Sequence, residues 1–288
     1  MCRLFAQISP SLESARHWLS ESEFSLLRQS DFDKGNLQKD GWGIAHFVNK
    51  GRPLVSKSQM PVYKEREKFL EAAGKASRIV IGHIRAASNP LGIPRSRLIN
   101  LESTQPFTDG RWVFAHNGTL EIPEEVAGRL GPLRRKLRSP NDSEVYFWQF
   151  MKFARKTGDA AKALEACVQE DWELWSQCRK RYPGKISPYT SLNAVLSDGR
   201  RLYAFCHAVR RGMADHGVCN PDQPWSVMSF SRREGRLIVA SENLDRRAWT
   251  RLAPPEILCA EIASGRLRLE RRRLALQGVP EPARGAAP

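Results

Sequence analysis

Two long helical stretches, Asp142 to Lys156 and Asp159 to Lys180, stand back to back in the middle of this chain, and the regular segments around them are mostly strand-like. A run of strands, then a run of helices, then more strands predicts an α+β layered fold. A doubly wound parallel sheet would need strand and helix to alternate, and they do not. Gly41-Trp42-Gly43 lacks the further glycine and acidic residue of a dinucleotide fingerprint, so it is weak support for phosphate binding.

The strands can be placed from their patterns. Cys2 to Ile8 alternates, with Leu4, Ala6 and Ile8 on one side and Arg3, Phe5 and Gln7 on the other. Ser9-Pro10 offers a helix start, followed by Leu12, Ala15, Trp18 and Leu19 at helical spacing. Asp31 to Asp40 reads as a loop before a strand from Trp42 to Val48, and Lys64 to Ala76 as a helix before a strand from Arg78 to Ile84. A loop from Ala86 to Asp109 leads to a strand from Trp112 to His116, which runs into Asn117-Gly118, a dipeptide suited to positive φ. Ser191 to Ser197 and Arg201 to Ala208 flank the hairpin signal Asp198-Gly199. Further strands are expected at Ser226 to Ser231, Leu237 to Ser241, Ile257 to Ile262 and Leu267 to Leu274. One domain is expected over residues 2–276, with residues 277–288, rich in Pro, Ala and Gly, as a disordered tail.

Composition narrows the class. With 288 residues and 41% hydrophobic content the chain can bury a large core. It contains no run of eighteen apolar residues and no signal-peptide apolar region, so a soluble, cytoplasmic protein without a membrane anchor is expected. The six cysteines show no CxxC spacing, which argues against structural zinc and disulfides. A formal charge of +15 would attract anions or nucleic acid. The basic clusters, Arg134-Arg135-Lys136 with Arg138, Arg232-Arg233, Arg246-Arg247 and Arg271-Arg272-Arg273, are not interleaved with aromatics, so they read as solvated faces and nucleic acid is not an expected partner.

Chemistry enters at Cys2. If Met1 is removed, the cysteine becomes the chain terminus, and its own α-amine, titrating near ~7.7–8.0, can serve as general base for a thiol near ~8.5. No separate histidine is then needed. Singly, Cys2 is a buried strand cysteine, Arg85 a salt-bridge residue, Asn117-Gly118 a turn and Asp142 a helix cap. Together they carry more weight.

Met1-Cys2-Arg3-Leu4-Phe5-Ala6, Asp40-Gly41-Trp42-Gly43-Ile44, Gly82-His83-Ile84-Arg85-Ala86-Ala87-Ser88, Phe114-Ala115-His116-Asn117-Gly118-Thr119-Leu120 and Asn141-Asp142-Ser143-Glu144 occur in this order. The ordered set resembles the class II, N-terminal-nucleophile glutamine amidotransferases, and most of all their small stand-alone bacterial members without a fused synthase domain. The resemblance implies a four-layer αββα sandwich of two stacked antiparallel sheets, the N-terminal nucleophile hydrolase fold, with no cofactor and no metal.

A site that selects glutamine needs a cation for the α-carboxylate, an anion for the α-ammonium and an oxyanion hole beside the nucleophile. Arg85, assisted by Ser88, would supply the first and Asp142 the second. The side-chain amide of Asn117 and the backbone N–H of Gly118 would supply the third. Trp42 and His83 are further pocket residues, Trp42 with core packing as its alternative. His83 and His116 are not expected to form a metal pair. Two departures from the family pattern stand out: Gln105 occupies a place where a histidine is usual, and Asn89-Pro90 replaces a Gly-containing turn. The implied activity is hydrolysis of the side-chain amide of glutamine through a Cys2 thioester, with ammonia passed to a partner synthetase. The alternative is free-standing hydrolysis of a γ-glutamyl amide, similar to the amidohydrolase of ergothioneine biosynthesis.

Overall fold

The computed structural model describes residues 2–35, 37–47, 51–209, 216–276 and 279. Its strands are β1 (Arg3–Ser14), β2 (Trp42–Phe47), β3 (Leu54–Ser58), β4 (Ala76–Ile84), β5 (Phe107–Thr108), β6 (Val113–Asn117), β7 (Asn193–Ser197), β8 (Arg201–Cys206), β9 (Ser229–Arg233), β10 (Arg236–Ala240), β11 (Thr250–Arg251), β12 (Glu256–Ala263) and β13 (Arg266–Arg273). They form two sheets, in the orders β11-β9-β10-β1-β4-β2-β3 and β13-β12-β8-β7-β6-β5. All named pairings are antiparallel. The helices are α1 (Leu26–Gln29), α2 (Arg66–Ala73), α3 (Arg95–Leu98), α4 (Pro123–Gly128), α5 (Asp142–Thr157) and α6 (Ala160–Cys178).

The period of two in the strands decides which layer each side chain enters. Leu4, Ala6 and Ile8 of β1 meet Ile79 and Ile81 of β4, and across the gap Val113 and Ala115 of β6 and Val195 of β7. This is the core between the sheets. Phe5, Ile44, Val80 and Ile84 face the other way and pack on Phe69, Ala72 and Ala73 of α2. On the far side, Phe114, Leu196 and Phe205 pack on Tyr146, Phe147 and Phe150 of α5 and Leu164, Cys167 and Val168 of α6. Three apolar interfaces separate four layers in the order α-β-β-α. Each large side chain so buried stabilises the fold by about 1.5–3 kcal/mol.

Some segments depart from their sequence patterns. Ser9-Pro10 does not start a helix, because β1 continues to Ser14 and its register against β4 shifts between Ile8 and Glu13. An irregular stretch of this kind accepts a proline, which has no N–H to offer a ladder. Trp18 and Leu19 instead fall in a single helical turn over His17–Glu21. The long loop from Ala86 contains α3 and the two-residue β5. Val48, the expected end of β2, and all of the expected tail except Val279 lie outside the described residues.

Candidate active site

Cys2 immediately precedes β1, Arg85 immediately follows β4, Asn117 ends β6 and Asp142 opens α5. In the β1–β4 ladder Arg3 opposes Ile84, which sets Cys2 beside the Arg85 end of β4, with its Sγ 3.5 Å from the carbonyl oxygen of Ala86. By strand parity Cys2 lies on the inner face with Leu4, and Asn117 on the inner face with Ala115. The end of β6 is brought over the end of β4, where His83 lies against the main chain of His116.

The charges at this end interact. Burial pushes the Cys2 thiol above its ordinary value, while the positive amino terminus and Arg85 pull it down. Arg85 is 2% exposed, and burial lowers its pKa against the opposing pull of Cys2, Asp40 and Asp142. Its Nη1 donates to the carbonyl of Leu98 at 3.0 Å. Asp142, 3% exposed, is pushed by burial up to about 6, although the N–H of Leu120 donates to its Oδ2 at 2.8 Å and Arg85 opposes the shift. A cation and an anion are thus both held with little water around them.

Asn117 is fully buried, and neither its side-chain oxygen nor its side-chain nitrogen has a protein partner. An amide buried in this way costs about 1–3 kcal/mol. Gly118 is required by closeness rather than by turn geometry. Its φ is not positive, but a Cβ there would fall 2.0 Å from the carbonyl oxygen of Ser191 and 2.7 Å from His116 Nε2. The expectation of a positive-φ turn is corrected on this point: the glycine lets β6 pass against Ser191.

His116 holds this corner together. Its Nε2 lies 2.9 Å from the carbonyl of Ser191 and its Nδ1 3.0 Å from Ser143 Oγ. A carbonyl only accepts, so Nε2 carries the proton and the Ser143 hydroxyl donates to Nδ1. Burial pushes the ring down to about 4, so it is neutral near neutral pH. His83 is fully buried, and its ring, which lies against the main chain of His116, is pushed down to about 3 by burial. It lies on the inner face, whereas the His116 ring points outward to α5, so the two share no metal-binding geometry. Among the described residues no group of three or more metal-ligating side chains occurs.

Trp42 is placed elsewhere. By parity it belongs to the outer face, where its ring meets Phe69 edge-on at 5.3 Å, which is the core packing given as its alternative. Ser88 is half-buried three residues beyond Arg85. Gln105 is buried beside β6. Its side chain mimics a strand, accepting from His116 N–H at 2.6 Å and donating to His116 carbonyl at 3.2 Å, so it fixes the residue next to Asn117. Asn89 closes its turn with its own side chain, bonded twice to Ile93. Asp40 went unassigned in the sequence. It is 2% exposed, accepts from Ala87 N–H at 2.8 Å and pairs with Arg95, so it pins the segment that carries Ser88. The signal was present, since Asp40 opens one of the ordered motifs.

Comparison with known proteins agrees with this architecture. The sequence profile of the class II glutamine amidotransferases matches residues 1–273. A γ-glutamyl-hercynylcysteine sulfoxide hydrolase of Mycolicibacterium smegmatis is 28% identical over 170 residues, which is 59% of this chain and 62% of that protein. The match therefore spans less than two thirds of the relative. A glutamine aminotransferase class-II domain protein from Silicibacter pomeroyi superposes with a TM-score of 0.60 at 19% identity, covering 95% of this chain and all of the other. The glutamine phosphoribosylpyrophosphate amidotransferase of B. subtilis gives 0.57 at 14% identity, covering 94% of this chain and 49% of the other. These two likenesses concern the fold. The chain belongs to the class II glutamine amidotransferase family.

Proposed function

We propose that the chain hydrolyses the γ-amide of glutamine or of a γ-glutamyl compound through a thioester on Cys2. The observation that carries this reading is the Asn117 amide, buried without a partner at the end of the sandwich where Cys2, Arg85 and Asp142 interact. An unpaired buried amide is costly in the free protein and useful only if something arrives to accept from it.

Removal of Met1 would free the α-amine of Cys2. Because burial raises the thiol pKa, the thiol is protonated at neutral pH and needs a base during attack. The amine takes the thiol proton as sulfur bonds to the amide carbon. The oxyanion is met by Asn117 Nδ2 and the Gly118 N–H, and the ammonium then gives its proton to the leaving nitrogen. Water, deprotonated by the same amine, cleaves the thioester and releases the glutamyl carboxylate. Arg85, with Ser88 nearby, would hold the α-carboxylate, Asp142 the α-ammonium, and His83 would line the inner wall.

The similarity to a γ-glutamyl-hercynylcysteine sulfoxide hydrolase supports the second reading, in which the leaving group is larger than ammonia. Incubating the purified protein with glutamine and with a panel of γ-glutamyl amides, and assaying glutamate, separates the two. Preference for glutamine would direct the search to a synthetase that consumes ammonia. Turnover of larger amides alone would establish a free-standing hydrolase, and release from neither would contradict the proposal.

A further inference from the structure

Arg3 is 3% exposed and Glu242 is 2% exposed, and Arg3 Nε meets Glu242 Oε2 at 3.0 Å. The same guanidinium sends Nη1 to the carbonyl oxygen of Cys2 at 3.0 Å. Glu242 is held from behind by the backbone N–H groups of Val218 at 2.9 Å, Cys219, and Asn220 at 2.8 Å. A Cβ on Gly217 would fall 2.7 Å from Glu242 Oε1, so the chain there wraps tightly around the carboxylate.

The position of this pair explains its purpose. The β1–β10 ladder pairs Phe5 with Ala240, and one step further Leu4 N–H donates to Ser241 Oγ at 2.9 Å while Ser241 N–H donates to the Leu4 carbonyl at 3.1 Å. Continuing the register brings Arg3 to Glu242. Beyond it the regular ladder is exhausted, and Cys2 lies past the end of its strand. Arg3 points to the outer face with Phe5, away from the side on which Cys2 lies, so it does not enter the reaction gap.

We infer that Arg3 and Glu242 form a positioning pair for the nucleophile. By fixing the Cys2 carbonyl they fix the plane of the Cys2–Arg3 peptide, and with it the directions open to the amine and thiol. The inference rests on the proposed role of Cys2. It makes the carboxylate of Glu242, docked by residues 218–220, part of the machinery that aims a residue on another strand. Misaiming a nucleophile by about 1 Å costs on the order of 10²-fold in rate.

Breaking a buried ion pair destabilises a protein whatever its purpose, whereas removing both charges together is often close to neutral in stability. The informative variants are therefore Arg3→Lys and the double variant Arg3→Met with Glu242→Gln, whose amide oxygen still accepts from the N–H groups of Cys219 and Asn220. Each is assayed for melting temperature, kcat and KM on the preferred substrate, and the rate of Cys2 alkylation by a glutamine-like diazo-ketone. The expected result is a double variant that melts near the wild type yet loses about 10- to 100-fold in kcat and alkylation rate, with KM changed by less than about threefold. Arg3→Lys, which keeps the charge but cannot reach both acceptors with one fork, should show the same split. A stably folded double variant with wild-type kcat would overturn the inference and leave the pair a structural one. Failure of the wild-type protein itself to turn over or to be alkylated would sink the catalytic reading, and the inference with it.

Discussion

Asn117 and Arg85 are both buried polar groups, but the charges they would meet arise at different times. The α-carboxylate held by Arg85 is charged before and during reaction, so Arg85→Ala should chiefly raise KM, by about 10- to 150-fold for a lost charged hydrogen bond of ~1.5–3 kcal/mol. The oxyanion met by Asn117 exists only during attack. Asn117→Ala should therefore lower kcat by about 10²–10³ with KM little changed. The reverse pattern in steady-state kinetics would refute both assignments. Asp142 adds a pH test, because its folded-state value of about 6 lies above the ordinary 3.8. Below the ordinary value the group is protonated whether folded or not and costs nothing; above about 6 it is charged in both states and the full burial penalty applies. Asp142→Asn should thus raise the melting temperature at about pH 8 and leave it unchanged near pH 4, while abolishing any rise in KM as the pH of the wild type falls through about 6. A lower melting temperature at pH 8 would show that the carboxylate is not strained in the free protein.

At the scale of elements, the site depends on where β6 and α5 begin and end, and His116 is the tie between them. Nitrogen NMR of the labelled protein should show the Nε2–H tautomer of His116 and no titration between about pH 5 and 8, as its lowered pKa requires. A ring that charges in this range would mean that Ser143 and Ser191 do not hold it as described. Helix α5 starts where Asn141 caps it, its Oδ1 accepting from Ser143 N–H at 2.9 Å and its Nδ2 donating to the Ser103 carbonyl at 2.7 Å. The start of α5 was legible because capping is local. So was the inner face of β1, because alternation of Leu4, Ala6 and Ile8 is local too. The bulge after Ile8 was hidden, since only pairing with β4 shows that the chain stays extended past Pro10. The two readings of Trp42 stay open in the sequence because a period of two says that neighbouring residues differ in face but not which face is inner. Of the site, residue types could be read in order, but the part Gln105 plays needs the β6 backbone beside it, and the Arg3–Glu242 pair joins residues at opposite ends of the chain.

For the molecule as a whole, 46 Lys and Arg stand against 31 Asp and Glu, so an excess of +15 remains however many cations are paired. Arg233 grips Asp245 with both nitrogens and lies over the rings of Trp18 and Trp249, Arg246 pairs with Glu23, and Arg271 with Glu256. Arg135, Lys136 and Arg138 instead line a cleft of about 720 Å³ with Lys57 and Arg155. Glutamine is a net-neutral zwitterion, so this field does not steer it, and kcat/KM for glutamine should stay flat as salt rises. A steep fall with ionic strength would point to a substrate with a further negative charge. The most direct test of the central claim is peptide mapping of the protein after treatment with a glutamine-like diazo-ketone. The account predicts a chain that begins at Cys2 and carries one label, on that residue, with loss of activity in proportion to labelling. Active protein that retains Met1, or a label on Cys206 or Cys259 instead, would contradict it.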